Sequence, residues 1–248
     1  MGRLQDRVAI VTGSSSGIGE SIARSLAAEG VRVVVNSATS VDAGQAVAKS
    51  LSDAVYVRAD VADAEACTRL VDAAVDRWGR LDILVNNAGT TKVIPHHDLD
   101  AVTDEVFRRI LDVNVLGTWR MIRTAAPHLR ANAADGTPGD VVNITSLAGL
   151  RPSGSSVPYA VSKAGLNHMT RLLAKSLGPD IRVNAVAPGL VATPWTADWD
   201  AAHAAVATTA PLRRSGGPDE IAEATLGLLL SGYATGQVLA VDGGLGLT

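Results

Sequence analysis

Tyr159-Ala-Val-Ser-Lys163 sets a phenol and an ammonium four positions apart. Four residues are about one helical turn, so on a helix both groups lie on one face. A free tyrosine, with a pKa of about 10, is a poor acid–base group at neutral pH. A cation held nearby favours the phenolate and lowers that value, so Tyr159 could exchange a proton with a substrate oxygen. Upstream, Ser146 ends the apolar run Asp140-Val-Val-Asn-Ile-Thr-Ser146. A hydroxyl at the end of a buried strand could hydrogen-bond the same oxygen. Taken alone, Tyr-x-x-x-Lys also describes an ordinary helix face with a tyrosine over a lysine stem.

The elements that must position these groups read as alternating strands and helices. Arg7-Val-Ala-Ile-Val-Thr12 is a short apolar run, expected as a buried strand. It runs through Thr12-Gly-Ser-Ser-Ser-Gly-Ile-Gly19 into a helix over Glu20–Glu29. Strand, glycine loop, helix is the context that turns a glycine pattern into a dinucleotide-binding hypothesis. The glycines allow a tight turn and close approach of a pyrophosphate, and the helix N-terminus favours its charge. A glycine-rich turn without a ligand is the alternative.

Further strands are expected over 31–36, 54–59, 81–85, 140–146, 181–187 and 237–241, with helices over 42–51, 63–78, 103–129, 157–177 and 219–230. Asp60 follows the third strand, where it could accept from an adenine amino group or cap a turn. Asn86-Asn-Ala-Gly89 ends the fourth strand with small residues that would let a cofactor approach, or with a simple turn. Asn114 and Gly117 are weak helix formers inside a long helical stretch. Asn114 could face outward, or break the ladder locally and hold a water. Ala131 to Gly139 reads as a polar loop. From Leu190 to Arg214 the pattern loosens, giving either a mobile substrate loop or a surface helix with Trp195 and Trp199 packed on it. The whole predicts one α/β domain over residues 1–248: a doubly wound, mainly parallel sheet of about seven strands covered on both faces.

Composition excludes several classes. The net charge of -3 gives no electrostatic case for nucleic acid. No apolar run approaches the roughly 20 residues of a membrane span. Met1-Gly-Arg-Leu-Gln-Asp6 lacks the apolar core of a signal peptide. Cys67 is the single cysteine and reads as a small structural residue. His96 and His97 have no second ligand cluster, so no metal site is expected. A cytoplasmic location follows as the expectation.

Thr12-Gly-x-x-x-Gly-x-Gly19, Asn86-Asn-Ala-Gly89, Asn114, Ser146, Tyr159-x-x-x-Lys163 and Pro188-Gly189 together resemble the short-chain dehydrogenase/reductase family in its single-domain form. The resemblance covers essentially the whole chain. It implies that Tyr159 is the proton donor or acceptor, that Ser146 polarises the carbonyl, and that Lys163 holds the nicotinamide ribose and lowers the Tyr159 pKa. Asn114 would hold a water linking Lys163 to solvent. Gly13, Ser15, Ser16, Gly17, Ile18 and Gly19 would line the pyrophosphate and ribose, and Asn36 and Ser37 the adenosine ribose. Asp60 and Val61 would flank adenine. Asn86, Ala88 and Gly89 would lie along the cofactor, and Pro188, Gly189 and Thr193 would meet its nicotinamide end. The substrate would be a ketone or secondary alcohol, and the chain is similar to 3-oxoacyl-carrier-protein reductases. A cofactor-binding protein without turnover is the alternative, and the intact Asn114, Ser146, Tyr159 and Lys163 set argues against it. The family implies a homo-oligomer, expected to be a tetramer. On the cofactor, Ser37 stands where NAD-dependent members place an acid, so NADP(H) is favoured over NAD(H). Against that, the two positions where NADP-dependent members often carry a basic residue hold Ser16 and Ala38.

Overall fold

The structure, a computed structural model, describes residues 2–131 and 136–248. Of the polar loop expected over Ala131–Gly139, residues 132–135 therefore lie outside the described residues.

Among the described residues, seven strands form one sheet: β1 (Val8–Val11), β2 (Arg32–Ser37), β3 (Ala54–Arg58), β4 (Ile83–Asn86), β5 (Gly139–Ile144), β6 (Ile181–Pro188) and β7 (Val238–Val241). Their spatial order is β3-β2-β1-β4-β5-β6-β7, and every pairing is parallel. The order reverses between β3-β2-β1 and β4-β5-β6. That switch point is where an open α/β sheet leaves a crevice at the carboxyl ends of its strands.

Helices cover both faces, so each inner strand is apolar on both sides. β1 shows the alternation. Val8 and Ile10 join the core that contains Leu70, Met121 and Leu129, whereas Ala9 and Val11 join the core of Ile22, Leu26 and Leu229. The helices are α1 (Gly17–Ala28), α2 (Val41–Ser50), α3 (Ala64–Trp78), α4 (Asp104–Leu111), α5 (Thr118–Ala131), α6 (Val157–Leu177), α7 (Asp200–Thr209) and α8 (Pro218–Leu230). Local chemistry sets their ends. The Asp63 side chain accepts from Glu65 N at 2.9 Å to cap α3, and Gly79, at φ +73°, closes it.

The single helix expected over 103–129 is two. Asp112–Gly117 between α4 and α5 is a π-helical turn. Gly117 explains part of it: a Cβ there would stand 2.8 Å from Val61, so the chain passes too close for any side chain. At the opposite pole of the sheet, Asp140 is buried between Arg7, 2.8 Å away, and Arg182. Burial drives its carboxyl up, and the two guanidiniums oppose that.

Candidate active site

The carboxyl ends of β1, β2, β4, β5 and β6 border one cleft of about 1180 Å³. That volume suits a dinucleotide with a small substrate beside it. Two elements deliver the reactive groups. Ser146 stands just past β5, capping a short 3-10 turn (Leu147–Gly149) by accepting from Ala148 N at 3.1 Å. The strand itself stops at Ile144, two residues earlier than expected. Tyr159 and Lys163 lie one turn apart on α6, and both line the cleft. The Ser146 hydroxyl acts on the Tyr159 phenol in the sense that favours its ionised form. The Lys163 Nζ sits 5.7 Å from the Tyr159 ring centre and donates to Ile144 O at 2.9 Å.

The electrostatics differ from the expected lowering of Tyr159 by Lys163. Burial raises the phenol above its ordinary value, and the Ser146 hydroxyl only partly opposes this. Burial also brings the Lys163 ammonium down to about 8. The ammonium donates to the Ile144 carbonyl, and burial, not attraction to Lys163, sets the phenol's shift. At neutral pH the pair is therefore a protonated phenol beside a charged lysine.

Asn114 lies in the π-helical turn, fully buried and behind the cleft wall. Its amide donates to Thr90 O and to Ser162 Oγ, both at 3.0 Å, and its Oδ1 accepts from Thr90 N at 2.8 Å. Ser162 in turn donates to Tyr159 O at 2.7 Å. The side chain is thus fully occupied in tying the loop after β4 to the turn that carries Tyr159. A Cβ on Gly89 would lie 3.4 Å from Asn114 Oδ1 and 3.7 Å from Lys163 Nζ, which places all three at one point.

The glycine loop is a cradle for a group larger than a side chain. Gly13 has φ +63°, and a Cβ there would lie 2.9 Å from the Ala88 Cα; Gly17 has φ +57° and faces Thr193. Only glycine tolerates that backbone and that approach. Ser15, Ser16, Gly17 and Ile18 line the cleft at the start of α1, and Ser16 makes no side-chain cap. The first amides of α1 are left without a side-chain acceptor, as an anion-binding helix terminus requires. These residues fit a dinucleotide pyrophosphate.

Other expected contacts divide. Ser37, Asp60, Val61, Ala88, Pro188, Gly189 and Thr193 line the cleft with the reactive groups. Asn36 reaches it but is a brace: its Oδ1 accepts from Gly13 N at 3.1 Å and its amide donates to Val57 O and Ala59 O. Asp60 accepts from Ala62 N at 2.9 Å and meets Arg109 at 3.3 Å, so its carboxylate holds a turn as well as facing the cleft. Two placements correct the expectation. Asn86 does not line the cleft; it is buried and donates to Asn143 Oδ1 at 2.9 Å, because strand alternation turns it toward its register partner on β5. Gly19 is also inside, where a Cβ would strike Gly13 O. Asn87, not singled out beforehand, takes the place at the cleft expected of Asn86. It lines the cleft and donates to Thr12 O at 3.0 Å and Gly13 O at 2.9 Å.

Among the described residues, no group of three His, Cys, Asp or Glu could hold a metal ion, and no helix is long and apolar enough to cross a membrane. His96 instead hydrogen-bonds Gly154 O at 3.0 Å across the cleft rim.

Fold and site together define an oxidoreductase that uses a nicotinamide dinucleotide. The family model described as enoyl-(acyl carrier protein) reductase matches residues 13–246. A Streptomyces violaceoruber protein, named as ketoacyl reductase 2 of the granaticin polyketide synthase, is 59% identical over 96% of this chain and 95% of its own. A 3-ketoacyl-(acyl-carrier-protein) reductase from Brucella melitensis, solved with NADH, superposes with a TM-score of 0.91 at 34% identity, over 98% of this chain and 99% of that one. The Pseudomonas aeruginosa RhlG/NADP complex superposes with a TM-score of 0.90 at 34% identity, over 98% and 97%. The chain belongs to the short-chain dehydrogenase/reductase family.

Proposed function

We propose that this protein is an NADPH-preferring reductase of a ketoacyl substrate, with Ser146, Tyr159 and Lys163 as its catalytic residues and Asn114 as the residue that positions them. The observation that carries this is that Ser146, Tyr159 and Lys163 line one cleft with the glycine loop, where burial keeps the Tyr159 phenol protonated. A phenol held neutral is a proton donor at neutral pH, which suits carbonyl reduction. The cofactor supplies the hydride. The chain's own residues do the rest. Ser146 and Tyr159 hold the substrate oxygen, and Tyr159 Oη gives it a proton as alkoxide charge develops. Lys163 holds the cofactor ribose. Asn114 fixes the backbone at Tyr159 through Ser162, and any water relay to solvent would run past Lys163 on the same side.

Gly13, Ser15 to Ile18, Asp60, Val61, Ala88, Gly89, Pro188, Gly189 and Thr193 form the cofactor wall of a single domain over 1–248. The segment from 190 to 214 covers the substrate end. The ketoacyl class is supported by the 59% identical relative of that name. The preference for NADPH is supported by Ser37 at the end of β2, where no carboxylate would repel a 2′-phosphate. A cytoplasmic homotetramer is the form we propose.

The test is consumption of NADPH and of NADH with a panel of 3-oxoacyl thioesters and plain ketones. Reduction of the thioesters with the higher kcat/KM for NADPH is expected. Tight cofactor binding with no turnover of any ketone would overturn the reading.

A further inference from the structure

At the adenosine end of the cleft, β2 and β3 run in parallel register, Val35 against Tyr56 and Ser37 against Arg58. Paired residues share a face of the sheet, and so do residues two apart on one strand. Ser37, Tyr56 and Arg58 therefore form one group beneath the turn that opens α2. The Ser37 and Tyr56 hydroxyls are 2.9 Å apart, and Ser37 Oγ is 3.0 Å from Ser40 O. A carbonyl only accepts, so the Ser37 proton goes to Ser40 and Tyr56 donates to Ser37. Ser37 has no proton left for a ligand. A 2′-phosphate here needs another donor.

Arg58 is exposed at the last position of β3. Its Nε donates to Ala38 O at 3.1 Å, which holds the guanidinium against the Ala38–Ser40 turn. That turn lines the cleft. The other arginine that lines this cleft is taken: Arg109 pairs with Asp60. Among the described residues, no carboxylate lies within ion-pair distance of Arg58, and its two terminal nitrogens make no hydrogen bond. A guanidinium anchored through Nε with both Nη groups free is a two-pronged donor set for phosphate.

We infer that Arg58 is the coenzyme-discriminating residue, with its guanidinium meeting the 2′-phosphate of the adenosine ribose. The positive charge missing at positions 16 and 38 comes instead from the neighbouring strand. The inference rests on the proposed preference for NADPH, and it explains how a site with only neutral donors after β2 could hold that phosphate. Because Arg58 is exposed, the preference should weaken with added salt.

The experiment is calorimetric binding of adenosine 2′,5′-bisphosphate and adenosine 5′-monophosphate to the wild type, Arg58→Gln and Arg58→Lys. The wild type should bind the bisphosphate more tightly. Arg58→Gln should lower bisphosphate affinity by about 10-fold, the scale of one charge-assisted contact, and leave the monophosphate unchanged. Arg58→Lys should keep part of the difference, as a point charge without the fork. If Arg58→Gln keeps the full wild-type preference, Arg58 is not the discriminator although the NADPH reading stands. If it weakens both ligands equally, Arg58 only holds the Ala38 turn, and the inference fails. If the wild type itself shows no preference, the NADPH reading falls and this inference with it.

Discussion

At the scale of residues, the reaction turns on where two protons sit. Tyr159 is the proposed donor, so Tyr159→Phe should lower kcat by at least about 100-fold, the lower end for general acid–base catalysis. Cofactor affinity, measured by titration, should stay nearly unchanged; wild-type turnover in the variant would discard the mechanism. The pH dependence follows from the opposite shifts of the pair. Burial raises the Tyr159 phenol and lowers the Lys163 ammonium to about 8. As pH rises, Lys163 is therefore the first of the two to lose its proton, while Tyr159 is still protonated. Reduction should fall as pH passes about 8, because the charge that holds the cofactor ribose disappears. A kcat/KM profile flat to well above that value would contradict the assignment. The types and spacing of these residues were legible in the sequence. Their electrostatics were not, because whether a lysine faces a phenol or a backbone carbonyl depends on Ile144, nineteen positions away in the chain. The same holds for Asn86 and Asn87: the pair was visible, but which amide reaches the cleft is decided by pairing with Asn143.

At the scale of elements, the strand and helix order was readable because apolar runs and caps are local signals, and α6 falls over 157–177 as its pattern predicts. The π-helical turn was only hinted at by Asn114 and Gly117. It depends on contact with Val61, Thr90 and Ser162, none of them local. The segment after β6 shows a similar limit. Its loosened pattern hid a short turn (Pro194–Thr196) and α7. Long-range pairing organises them: Val191 bridges Gly216 at the base, and His203 joins Thr196 O at 3.1 Å to Ser215 Oγ at 2.7 Å. Both tryptophans line the cleft, and the Trp195 ring stands edge-on to Tyr159 with centroids 6.5 Å apart. Trp195 is still 49% exposed, which leaves a large apolar surface beside the proposed acid. If this segment covers substrate, tryptophan fluorescence should change when a ketoacyl substrate joins the cofactor-loaded enzyme. Trp195→Ala should then shift kcat/KM between short and long acyl chains by several-fold, the scale of a few buried methylenes. No change in either measurement would make Trp195 a packing residue alone.

At the scale of the whole molecule, exposed large apolar side chains fall on two sets of elements. Leu116 and Trp119, at the junction of the π-helical turn and α5, are exposed, as are Val161 and Leu172 on α6. Far along the chain, β7 is the last strand of the sheet, with Leu239 exposed in its middle and Tyr233 fully exposed just before it. An uncovered edge strand with apolar side chains invites pairing with another chain, and natural sheets rarely leave one bare. If each set pairs with its own copy, each generates one two-fold axis, and two such axes give the proposed tetramer of dihedral symmetry. One face alone would stop at a dimer. Light scattering after size exclusion should therefore give about four times the chain mass of 25.5 kDa. Charge placed on one face should remove one axis and leave the other. Trp119→Glu combined with Leu172→Glu should yield dimers, because two carboxylates would be buried unpaired at each copy of that interface. Leu239→Glu should yield the other dimer by the same reasoning. A wild-type monomer at micromolar concentration would refute the assembly. A tetramer that withstands both changes would move its interfaces to other surfaces.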